Sequence, residues 1–123
     1  MASGAPADTQ SGQLLTIPAE VLARVGGDRA LLAEISRLFV DDAPQHLKKI
    51  REAIDTRDGE SLRRAAHGLK GAAANFDADG VVAAARTLEE IGRSGEFDGH
   101  DAAWQALEVE TDQLIRVLRS VCQ

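Results

Sequence analysis

Tyrosine is absent from this 123-residue chain, and one Trp and three Phe are its whole aromatic complement. A core so poor in aromatics must be built from Leu, Ile, Val and Ala, a palette that favours helices over sheets. Cysteine occurs once, as Cys122, which excludes an intramolecular disulfide and fits a free surface thiol in a reducing, cytoplasmic setting. With one Cys and scattered histidines, none preceded by a carboxylate at i−3, structural zinc and di-iron sites are poor readings, and no metal is expected. No apolar run approaches the roughly 18 residues a membrane span needs, and "MASGAPADTQSG" lacks the basic start and apolar stretch of a secretory signal. Basic charge is also short: 14 Lys and Arg face 20 Asp and Glu, a formal net charge of −6. A general nucleic-acid binder needs a basic face to neutralise phosphates, so nucleic acid is not an expected partner. Walker and Gly-x-Gly-x-x-Gly loops, strand alternation and internal repeats are missing as well.

What is present is helical periodicity. The length suits one domain. Residues 1–15 are small and polar and read as a disordered tail or inter-domain linker, and residues 16–122 as the folded unit. Thr16 and Pro18 fit an N-cap and first turn, and "IPAEVLARVGG" a short helix ending at Gly26 and Gly27. Asp28 can cap a long helix whose stripe is Leu32, Ile35, Phe39, Ala43, Leu47, Ile50 and Ile54. Pro44 interrupts that stretch without breaking its register, which predicts a kinked but continuous helix. After a stop and start at Asp58 to Ser61, Leu62, Ala66, Leu69, Ala73 and Phe76 share a face. "DADG" turns the chain into a helix with Val81, Ala85, Leu88 and Ile91 inward, closed by "RSGEFDG". Trp104, Leu107, Thr111, Leu114, Leu118 and Val121 mark the last. Four amphipathic helices on short turns predict an all-α, antiparallel up-down four-helix bundle with a short extra N-terminal helix, closing its own core as a monomer.

The second long helix carries "AAHGLKGAAAN", with Gly68 and Gly71 at positions where Gly costs roughly 1 kcal/mol relative to Ala. His67 falls roughly 140° from the centre of the buried stripe, on the outward face. Arg63, Arg64, Lys70 and Gly71 are its neighbours at i−4, i−3, i+3 and i+4, and Ala74 lies one turn beyond. The expected surface is an exposed imidazole ringed by three cations, beside a groove floored by Gly and Ala. An imidazole is a competent nucleophile near neutral pH. If it attacks phosphorus, Lys70 can balance the new charge, while Gly71 and Ala74 clear a partner's approach. Arg63 and Arg64, with Arg86 and Arg93 on the next helix, are candidates for docking that partner or are simply a solvated face. The pairs "DD" at 41 and "EE" at 89 read as solubility and helix-end residues.

These residues resemble the histidine-containing phosphotransfer (HPt) family of multistep phosphorelays. His67, Leu69, Lys70, Gly71, Ala73 and Asn75 follow its pattern, and a looser likeness through "AAARTLEEIGRSGE", Phe39 and Pro44 extends it over about residues 18 to 120. The resemblance implies a bundle whose His67 takes a phosphoryl group from the aspartyl phosphate of one response-regulator receiver domain and gives it to another. A hybrid histidine kinase would stand upstream. It implies no ATP site, no metal and no cofactor in this chain, the Mg²⁺ belonging to the receiver. Where the family usually ends this helix on Gly, ten residues after the histidine, this sequence has Asp77. Asp enters the left-handed region at modest cost, so the turn is expected to survive. Two alternatives stand beside the carrier: a non-transferring module that holds or inhibits a receiver or kinase, and a segment of a larger hybrid kinase with "SGAPADTQSG" as its linker.

Overall fold

A computed structural model describes residues 19–122. Five helices follow one another: α1 (Ala19–Arg24), α2 (Arg29–Asp55), α3 (Gly59–Ala74), α4 (Asp79–Ser94) and α5 (His100–Cys122), with no strand among the described residues. The tail assigned to residues 1–15 and the cap assigned to Thr16 and Pro18 lie outside that range. The four long helices pack in a ring, α2 on α3, α3 on α4, α4 on α5 and α5 on α2. Their connections span only residues 56–58, 75–78 and 95–99, so consecutive helices must reverse direction. None of the described helices is long and apolar enough to cross a membrane.

Helix boundaries follow local chemistry. Asp28 Oδ1 accepts from the Leu31 amide at 3.0 Å, and Asp58 accepts from the Ser61 amide at 3.1 Å and the Ser61 hydroxyl at 2.8 Å. Each carboxylate satisfies donors that a helix start leaves free. Gly95 ends α4 in the left-handed conformation at φ 76°. Helix α2 runs unbroken through Pro44, because a single missing N–H costs less than losing the stripe on either side of it.

The core takes its residues from all four stripes. Leu32, Phe39, Ala43, Ile50 and Ile54 of α2 meet Leu62, Ala66, Leu69 and Ala73 of α3, with Phe76 just beyond it. Val81, Ala85, Leu88 and Ile91 of α4 and Leu107, Thr111, Leu114 and Leu118 of α5 close the other side. Phe39 and Phe76 pack edge to face, with centroids 5.6 Å apart. Ile35, Leu47, Trp104 and Val121, also expected inside, are only partly buried and pack on the rim. Trp104 is capped there by the Arg51 guanidinium, 5.4 Å from its ring centroid.

Helices α3 and α4 approach closely where two glycines meet. A β-carbon on Gly92 would lie 2.5 Å from the Gly59 carbonyl oxygen and 2.7 Å from the Arg63 amide nitrogen, and one on Gly59 would lie 2.6 Å from the Gly92 carbonyl oxygen. Those atoms are backbone and cannot step aside, so this contact sets the helix spacing. At Gly71, by contrast, an added β-carbon would meet nothing within 4 Å. Gly92→Ala is therefore expected to lower stability by about 1–3 kcal/mol, and Gly71→Ala to raise it by up to about 1 kcal/mol. Urea unfolding of the two variants should move in opposite directions.

Candidate functional site

The Gly59–Gly92 contact brings α4 against the outward flank of α3, and Glu89, one turn before Gly92, reaches across it. His67 projects from α3 with 64% of its side chain exposed, and its Nδ1 lies 3.0 Å from Glu89 Oε2. Lys70, one turn along α3, places Nζ 2.6 Å from Glu89 Oε1. Arg93, one turn along α4, brings Nη2 to 3.6 Å from the same oxygen that His67 engages. Glu89 itself is only 4% exposed. One buried carboxylate thus joins histidine, lysine and arginine.

A carboxylate out of water is tolerated only when paired. The hydrogen-bonded Lys70 ammonium holds Glu89 below the usual carboxylate range, burial pushes it up, and the His67 contact pulls it down again. The net direction is down, so Glu89 is ionised at neutral pH. An ionised carboxylate can only accept, which requires the facing His67 Nδ1 to carry hydrogen. In a neutral ring the lone pair is then on Nε2. Nδ1 is thus engaged by the protein, on a side chain that is largely exposed.

The other candidate residues divide between this cluster and its surroundings. Arg63 and Arg64 both bond to Glu60 of the first turn, whose carboxyl is pulled down to about 2 by Arg63 first and Arg64 second. The expected ring of free cations is therefore a set of ion pairs, and Lys70 is three-quarters buried under the imidazole. Arg93 joins the cluster while also pairing with Glu90. Arg86 is exposed and forms no ion pair among the described residues. Gly71 and Ala74 lie exposed on the His67 face of α3. Asp77 adopts the left-handed conformation at φ 53°, and Arg24 of α1 pairs with its carboxylate at 2.5 Å while donating to the Ala74 carbonyl at 3.0 Å.

The reading of Glu89 as a solubility residue is corrected by its burial. Its spacing held the signal: Glu89 is four residues after buried Ala85 and three before Gly92, inside the apolar arc of α4. A carboxylate there must have a partner. The sequence reading also passed over the side of α3 that faces α2. There Gly68 lies against the His46 ring, 3.6 Å from where a β-carbon would stand. A shallow groove continues past Ala72 to Leu38, which is 57% exposed.

A family model described as the Hpt domain matches residues 34–118. Among solved structures, the chain is similar to histidine-containing phosphotransfer protein B from Pseudomonas aeruginosa PAO1. The two share 25% sequence identity and a TM-score of 0.77 over 85% of this chain and 91% of that one. No curated protein sequence matches. The chain belongs to the Hpt domain family. It is accordingly a phosphocarrier of histidine phosphorelays, a class that works with receiver and kinase domains and is not an ATP-binding enzyme.

Because its carboxyl is held low, Glu89 contributes stability above the ordinary Glu value of about 4.3, and that contribution is lost as pH falls below it. The stability difference between wild type and Glu89→Gln should shrink on acidification from about pH 5 to below about pH 4. Urea unfolding across that range measures it.

Proposed function

We propose that His67 accepts a phosphoryl group from the aspartyl phosphate of one receiver domain and passes it to the aspartate of another. The observation that carries this reading is the hydrogen bond from His67 Nδ1 to the buried Glu89 carboxylate, which leaves Nε2 as the exposed nucleophile. In the forward step the Nε2 lone pair forms the N–P bond. The P–O bond breaks, and its electron pair leaves on the receiver's carboxylate. No proton leaves the ring: the hydrogen stays on Nδ1, donated to the Glu89 carboxylate. In the second step the next receiver's carboxylate attacks phosphorus, and the imidazole departs with the N–P electron pair.

Charge and access support the same assignment. Lys70 lies beside the ring on the shared carboxylate, close enough to offset part of a phosphoryl group's charge. The metal and the acidic pocket of such a transfer belong to the receiver, so this chain supplies position and a nucleophile. Among the described residues nothing packs against Gly71, so its missing side chain serves a partner. Arg64 and Arg93, with Arg86 one turn before Glu89, are exposed and are the charged groups offered to a docking receiver. The carrier acts as a monomer, since four stripes already close one core.

Incubation with a phosphorylated receiver, followed by intact-mass and acid-lability analysis, tests the reading. Wild type should gain one acid-labile phosphoryl group and His67→Gln none, while Gly71→Ala, though more stable, should be loaded more slowly. Equal loading of His67→Gln would defeat the proposal.

A further inference from the structure

An amide at position 89 would accept the same hydrogen bond from His67 Nδ1, so ring orientation does not by itself call for a carboxylate. The charge has a consequence of its own once phosphorus is attached, an inference that rests on the phosphoryl reading of His67. When Nε2 forms the N–P bond while Nδ1 keeps its hydrogen, the imidazole becomes a cation. That cation lies 3.0 Å from an ionised oxygen that is nearly out of water. A neighbouring opposite charge favours the charged form. We propose that Glu89 is a positioning residue for the second half of the relay: its charge keeps the phosphorylated ring protonated at Nδ1, and so keeps the phosphoryl group transferable.

The reason lies in the leaving group. From a protonated ring, cleavage of the N–P bond releases neutral imidazole, with the bonding pair returning to Nε2 and the hydrogen still on Nδ1. From a ring that has lost that hydrogen to water, the same cleavage must release an imidazolate anion, a far poorer leaving group. Glu89 therefore makes phosphorylated His67 short-lived and quick to donate, and an amide there would make it a store.

The charged groups around Glu89 fix the sign of the test. From α3 it faces His67 and Lys70 directly, and Arg63 feels its charge at longer range. From its own helix it faces Arg93, and no ion pair reaches it from α5 among the described residues. Lys70 holds the carboxylate ionised and also competes with the ring for it. Removing the carboxylate's charge and removing its competitor must act in opposite directions.

Wild type, Glu89→Gln and Lys70→Met are loaded with phosphoramidate, a small donor that needs no receiver, and hydrolysis of phosphorylated His67 is followed from pH 6 to 10. The Glu89→Gln profile should move to lower pH, with hydrolysis slowed about tenfold at mildly alkaline pH. Transfer to a receiver should slow alongside it. Lys70→Met should move the profile to higher pH. A general loosening of the bundle would move both variants the same way, and circular dichroism melts verify that each is folded. Superimposable profiles, or shifts of one sign in both variants, would overturn the role of Glu89. Absence of any transfer to or from receivers, with the opposed shifts intact, would defeat the relay reading and the transfer role of Glu89 with it, leaving only its control of the protonation of phosphorylated His67.

Discussion

A carboxylate buried between two helices has to be answered by hydrogen-bond donors, and the site is organised around that demand. Glu89 sits on α4 at a position spaced for the core, and its oxygens turn to the donors of His67, Lys70 and Arg93. The pairing crosses from α3 to α4, so it works only at the spacing that Gly59 and Gly92 impose. The bare backbone contact at one end of α3 and the ion cluster farther along it are two parts of one arrangement. One sets the distance, and the other uses it to hold an imidazole.

On the proposed reading, His67 is a nucleophile prepared without any group, among the described residues, that performs chemistry on its behalf. Placing the Nδ1 hydrogen decides which nitrogen is available, and helix α3 holds the ring on its exposed face. This division fits a carrier, which must react with more than one partner and therefore cannot enclose its reactive atom. The clamp at the other end of α3 serves the same rigidity. Arg24 of α1 satisfies the Ala74 carbonyl, one of the acceptors a helix end leaves free, and neutralises Asp77 in the turn. The Asp77 carboxylate of that turn thus has a partner inside the chain.

Much of this was legible in the sequence. The four stripes, the cap at Asp28, the break at Asp58 to Ser61 and the turn at Asp77 follow from local spacing and side-chain chemistry, which is why they could be read one segment at a time. The outward position of His67 followed from the same periodicity. What could not be read locally was pairing across helices. Lys70 looked like a free ammonium because its partner lies 19 residues away on another helix. Arg63 and Arg64 looked like a positive patch because Glu60, though near in sequence, was not counted against them. Glu89 was the recoverable omission, since a carboxylate inside an apolar stripe announces a partner even when its identity is hidden.

The central claim is that the protein, through Glu89, fixes which nitrogen of His67 is free. Long-range ¹H–¹⁵N correlation spectra of the imidazole, recorded before and after phosphorylation at neutral pH, address it directly. The account predicts a single tautomer with hydrogen on Nδ1 in the free protein, and a phosphoryl group on Nε2 with Nδ1 still protonated afterwards. A hydrogen on Nε2, an even mixture of tautomers, or phosphorylation at Nδ1 would contradict it.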